Sequence, residues 1–204
     1  MLSVKKRKKH HLLVDFSESK TKTIGIMGAD RSIGVTTVSI SLATYLAEIY
    51  HKRIAVVMYS SNRNSDSTYK KIADYSKSDM NKTGVLKEDK IDYYENICLV
   101  DIYVKEYDYI IIDYGKTSKE KIEDFVKNIY KIVIISLQAW KLESSNRMMS
   151  SLKDLEDSRT WLYIVQGTKR EVKKYRRINM VQMPYIENSM KVTNISLEFF
   201  ENII

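Results

Sequence analysis

The residues of this chain that could do chemistry fall in two short stretches. The first reads Gly28-Ala29-Asp30-Arg31-Ser32-Ile33-Gly34-Val35-Thr36-Thr37. Two glycines bracketing a polar loop, with paired hydroxyls behind it, allow backbone amides to wrap an anion while a threonine hydroxyl reaches a cation. The second reads Tyr109-Ile110-Ile111-Ile112-Asp113, four residues of buried-strand type running into a carboxylate. A carboxylate at a strand end beside the Thr36 hydroxyl can bind the hydration shell of Mg2+. The expected phosphate site therefore comprises Gly28, Asp30, Arg31, Ser32, Ile33, Gly34, Val35, Thr36 and Thr37, with Thr36 and Asp113 at its metal end.

The loop departs from the pattern G-x-x-x-x-G-K-[ST] of phosphate cradles. Counting five back from Gly34 lands on Ala29, one residue after Gly28, and Val35 stands where that pattern has its lysine. Thr36 keeps the position of the metal-binding hydroxyl. Other residue types offer no competing chemistry. His10, His11 and His51 show no metal-ligand spacing with Cys98, and no G-x-S-x-G turn presents a nucleophilic serine. Glu123 and Asp124 are expected on a solvated helix exterior. Tyr107, Tyr109 and Tyr114 are expected to pack around the second stretch.

Strands and helices must alternate to position these residues, and the sequence alternates from residue 22 onward. Strands are expected at Thr23–Gly28, Arg53–Tyr59, Asn96–Tyr103, Tyr107–Tyr114, Lys131–Leu137, Trp161–Gln166 and Asn179–Met183. Helical spacing marks Gly34–Tyr50, where Val38, Leu42, Tyr45, Leu46 and Ile49 share a face. Helices are also expected at Asp66–Lys77, Ser118–Tyr130, Lys141–Leu155 and Arg170–Arg176, with a packed terminal helix in 195–204. Ser78–Lys90 reads as a loop. Continuous Val/Ile strands joined by helices indicate an α/β fold, a mostly parallel sheet with helices on both faces in three layers. Ligands of such sheets bind beyond the carboxyl ends of the strands, where the 28–37 loop belongs.

Composition bounds the remainder. The chain has 204 residues, 44% hydrophobic, which suits one domain with an ordinary core rather than a disordered chain. We divide it into a basic arm, 1–21, and a single domain, 22–204. One cysteine leaves no internal disulfide framework and fits a reducing, cytoplasmic setting. No apolar run approaches the ~20 residues of a membrane-spanning helix, and the N-terminus lacks the apolar stretch of a secretory signal. The net charge of +8 is uneven. Residues 1–20 carry +4 and residues 168–177 carry +5, leaving −1 for everything else. These two basic patches give a route to nucleic acid, anionic lipid or an acidic protein.

The loop and the Tyr107-Asp108-Tyr109-Ile110-Ile111-Ile112-Asp113 stretch together resemble the ParA/MinD family of deviant-Walker ATPases, which includes TadZ-type relatives. The family's loop is K-G-G-x-G-K-[ST]-[ST], and its Walker B strand often ends Y-D-Y-I-I-I-D. The resemblance runs over roughly residues 22–186 in element order and, in motif, over 24–46 and 107–115. It implies a P-loop NTPase-like fold, ATP with Mg2+ as cofactor, protein partners in a larger bacterial assembly (pilus, secretion or DNA segregation), and dimerisation across the nucleotide. Gly34, Thr36 and Thr37 match. The family's two lysines fall on Asp30 and Val35, and its paired glycines on Arg31 and Ser32. The second strand ends Val57-Met58-Tyr59-Ser60, without the family's water-orienting acid. The expectation is a degenerate Walker A and a pseudo-ATPase: a non-hydrolysing positioning or binding module. Two alternatives stand beside it. Gly28, Asp30, Gly34 and Thr36 also resemble the G-T-D-x-x-V-G-K-T loop of dethiobiotin synthetases, which implies an active nucleotide-dependent enzyme. The basic patches point instead to a nucleic-acid-binding protein.

Overall fold

The Val/Ile-rich segments assemble into one eight-stranded sheet in the order β3-β4-β2-β5-β1-β6-β7-β8. The structure, a computed structural model, describes residues 21–59, 85–87, 89–94, 107–172 and 179–204. Its strands are β1 (Lys22–Gly28), β2 (Ile54–Met58), β3 (Val85–Lys87), β4 (Ile91–Tyr94), β5 (Tyr109–Lys116), β6 (Tyr130–Ser136), β7 (Leu162–Gln166) and β8 (Met180–Gln182). Its helices are α1 (Val35–Ile49), α2 (Lys119–Phe125), α3 (Leu142–Leu152), α4 (Lys169–Val172) and α5 (Asn194–Glu201). Every pairing is parallel except β3 against β4. Because β1 lies in the centre, its loop emerges where the chain's path across the sheet reverses: α1 carries it toward β2, and α2 carries β5 toward β6. Right-handed crossovers then place α1 on one face and α2 and α3 on the other.

Burial on both faces explains the unbroken apolar strands. Ile24, Ile26, Val56, Ile111, Ile134 and Ile164 are all fully buried. On the α1 face the terminal helix α5 closes the layer, with the rings of Phe200 and Tyr45 5.1 Å apart. A capping box holds its start, where the Thr193 and Ser196 side chains each bond the other's backbone amide. On the other face Phe125 packs edge-on to Tyr114 and to Trp161. Tyr107, Tyr109 and Tyr114 are buried, as packing residues should be. No helix among the described residues is long and apolar enough to cross a membrane.

Several expectations change. Part of the stretch read as a loop, 78–90, forms β3, which pairs antiparallel with β4, a strand not foreseen. β4 buries a charge that no apolar pattern marks: Asp92, 2% exposed, accepts from Arg53 Nη2 (3.1 Å) and the Tyr107 hydroxyl (2.6 Å). The helix expected to reach Tyr130 stops at Phe125. There the Asn128 amide donates to the Phe125 carbonyl (2.9 Å) and the Tyr114 hydroxyl (3.0 Å), turning the chain into β6 and leaving Ile129 exposed. Asp124 is bound rather than merely solvated: it accepts from the Tyr59 hydroxyl (2.5 Å) and Lys127 Nζ (2.7 Å). The 66–77 helix, the 96–103 strand, the 173–176 part of the basic helix and the basic arm up to residue 20 lie outside the described residues.

Candidate functional site

The loop between β1 and α1 is set by two glycines with different duties. Gly34, the residue before α1, has φ 93°, a left-handed conformation that an L side chain adopts only with strain. Gly28 ends β1 in a space too tight for a side chain. A Cβ there would lie 2.6 Å from Val35 Cγ2 and 2.8 Å from Ile33 Cδ1. The two apolar side chains of the loop thus turn inward onto Gly28, with Ile33 1% and Val35 6% exposed. Arg31 and Ser32 point to solvent, and Ser32 also takes a left-handed backbone (φ 55°). Neighbouring strand ends pin the loop. Ala29 N–H donates to Ile134 O (2.9 Å), Thr117 N–H to Gly28 O (2.8 Å) and Gln166 Nε2 to Ile33 O (3.1 Å).

Charge at the loop is arranged around Asp30. Its carboxylate accepts the Arg31 N–H (2.8 Å) and lies 3.3 Å from Lys116 Nζ, while Lys141 Nζ donates to Arg31 O (2.7 Å). The Arg31 amide, then Lys116, with Lys141 adding to them, hold the Asp30 carboxyl below its ordinary range. The loop that lacks its own lysine is therefore approached by two lysines from elsewhere, one from the end of β5 and one from the residue before α3. Neither carries a distinctive signal in a lysine-rich sequence; only the sheet order brings them to this rim. Met183, just beyond β8, is the other residue missed. Its Cε lies 2.4 Å from where a Gly34 Cβ would stand.

Asp113 does come beside Thr36, by a different backbone route from the one expected. β5 does not stop there but continues to Lys116, and the register slips so that Ile26 faces Asp113 and Met27 faces Gly115. Gly115, at φ 60°, makes this bulge possible. Asp113 Oδ1 accepts the Gly115 N–H (2.8 Å), while Oδ2 is buried with no hydrogen-bond partner. Burial pushes the Asp113 carboxyl upward, opposed by the Thr36 hydroxyl, the Gly115 amide and the Lys121 charge. Lys121, on α2, donates to Tyr114 O (2.6 Å); burial pushes its pKa down, against the pull of Asp113. Thr36 and Asp113 are thus brought together, and an orphaned buried carboxylate oxygen beside a hydroxyl suits the water shell of Mg2+. The phosphate end fits poorly, because apolar side chains line the loop and a carboxylate stands at its rim. Where β2 ends, Tyr59 stacks on Tyr114 (4.7 Å).

No protein-family profile matches the chain, and no curated protein sequence does. Solved structures do. A ParA family ATPase from Chlorobium tepidum superposes with a TM-score of 0.58 at 15% identity, over 83% of this chain and 86% of that one. A putative plasmid partition protein from Borrelia burgdorferi bound to AMPPNP gives 0.56 at 19% identity, over 90% and 96%. A plasmid partition protein from the same organism gives 0.55 at 16%, again over 90% and 96%. At these identities the likeness is one of architecture: the chain has the P-loop NTPase-like α/β fold of the ParA-family ATPases.

Proposed function

We propose that this protein is a catalytically degenerate ParA/MinD-like module that binds or positions a protein partner in a larger bacterial assembly, in the cytoplasm, without turning over ATP. One observation carries the reading. The residue in the lysine position, Val35, is buried against Gly28 and supplies no charge, while Asp30 sets a carboxylate at the rim. Phosphoryl transfer depends almost wholly on positioning and charge stabilisation. Losing one preorganised stabiliser costs about 3–4 kcal/mol, a factor of ~10²–10³ in rate. Here two loop lysines and the acid after β2 are replaced together. If a nucleotide binds, Thr36 and Asp113 are the residues to hold its Mg2+, and Lys116 and Lys141 the cations at hand. Held there, Mg2+ would supply charge neutralisation to a nucleotide's phosphates.

A coupled phosphate-release assay with Mg-ATP tests this, and no turnover above buffer is expected. Release at about 1 s⁻¹ or faster, the lower end of ordinary enzymes, and abolished by Thr36→Ala, would establish a working ATPase and reject the reading.

A further inference from the structure

A cleft of about 680 Å3 opens between α2 and α3 at the carboxyl edge of the sheet and reaches the loop at Ala29. Its volume lies within the range of small-molecule sites. Ala29, Ile122 and Met148 give it an apolar floor, and Met148 is 2% exposed. Lys116, Lys119 and Arg147 stand at its rim, against Glu123 as its lining carboxylate. The Thr117 hydroxyl, also in the lining, is buried and without a hydrogen-bond partner. The rim cations are loosely committed. Arg147 is held by an exposed pair with Glu143 one helical turn away (3.5 Å), and Lys116 by its half-exposed pair with Asp30. Pairs of this kind contribute little, whereas a phosphate dianion accepts a bidentate bond from arginine.

We propose that this cleft binds a small organic phosphate, its phosphoryl group between Lys116, Lys119 and Arg147 and its apolar body on Ala29, Ile122 and Met148. Because Lys116 also braces Asp30, ligand and loop carboxylate compete for one ammonium, and occupancy of the cleft loosens the loop. The cleft shares Ala29 and Lys116 with the rim of the β1–α1 loop, while Lys119, Ile122, Arg147 and Met148 belong to α2 and α3.

Phenyl phosphate, a dianion on a flat apolar body, is the probe, titrated into the full chain by calorimetry. Saturable binding is expected. Inorganic phosphate should bind at least tenfold more weakly. Lys119→Ala and Arg147→Ala, both at exposed positions, should each weaken phenyl phosphate about tenfold with the melting temperature unchanged. Asp30→Asn should tighten it several-fold by freeing Lys116, while Thr36→Ala should leave it unchanged. Absent or unsaturable binding, equal affinity for inorganic phosphate, or indifference to both rim substitutions would overturn the proposal. So would loss of binding in Thr36→Ala, which would move the ligand to the loop. A preference for an acidic peptide over phenyl phosphate would assign the cleft to a protein partner instead. ATP turnover enters none of these readouts, so failure here and failure of the non-hydrolysing reading are separate results.

Discussion

Val35 and Asp113 are the residues on which function and stability divide. Val35 supplies volume where a phosphate loop needs a cation, and its Cγ2 packs where Gly28 has no side chain. Val35→Lys should therefore tighten Mg-ATP at least tenfold in an equilibrium titration, since a charge-assisted contact to phosphate is worth ~1.5–3 kcal/mol; unchanged affinity would mean the loop no longer forms a phosphate cradle. Asp113 is the opposite case, a buried carboxyl held at some cost to the fold. Its folded pKa is raised, chiefly by burial. The folded state thus holds the proton to higher pH than the unfolded chain, and stability falls as pH rises from the ordinary carboxylate range through the raised value. Asp113→Asn should melt above the wild type at pH 7.5, by roughly 2–4 °C for each kcal/mol recovered. The gap should close on acidification toward pH 4. Asp30 behaves with the other sign: its carboxyl is held low, so its brace to Lys116 persists at neutral pH and is lost only as pH falls through that lowered value.

Elements decide how the loop is presented. α1 starts from a left-handed glycine with Met183 pressed against it. Gly34→Ala should cost about 2 kcal/mol in urea denaturation from the backbone conformation together with the contact. The double variant with Met183→Ala should recover the contact and leave the backbone cost. At the far end of the chain, Thr193→Ala removes the capping box of α5 and should cost about 1 kcal/mol. The elements legible in the sequence were those with one clear period. β1, β6, β7, α1 and α3 lie within a few residues of expectation because apolar runs and 3.6-residue stripes follow directly from burial. β4 was hidden by its buried Asp92, and the end of α2 by the Asn128 cap, because both depend on partners distant in sequence.

At the scale of the whole molecule, one central strand brings β5, β6 and β8 residues to the same rim as the loop. On the degenerate reading proposed above, Asp30 offers no cation to a second subunit, so Mg-ATP should leave the sedimentation coefficient of the protein unchanged; a nucleotide-dependent dimer would contradict this. The basic patches make a separate statement. If they bind duplex DNA, affinity must fall steeply with salt, and salt-insensitive binding would remove that role. The sequence alone determined a parallel α/β sheet, the place of a glycine-bracketed loop after its first strand, and the absence of a lysine from that loop. These are local matters of period, glycine position and residue type. Only the tertiary structure decided which charges meet there. Lys116 ends β5, Lys121 lies on α2 and Lys141 just before α3, and no spacing along the chain records that sheet order brings them to Asp30, Asp113 and the loop carbonyls. Electrostatics acts across a few ångströms of space, which a linear sequence does not measure.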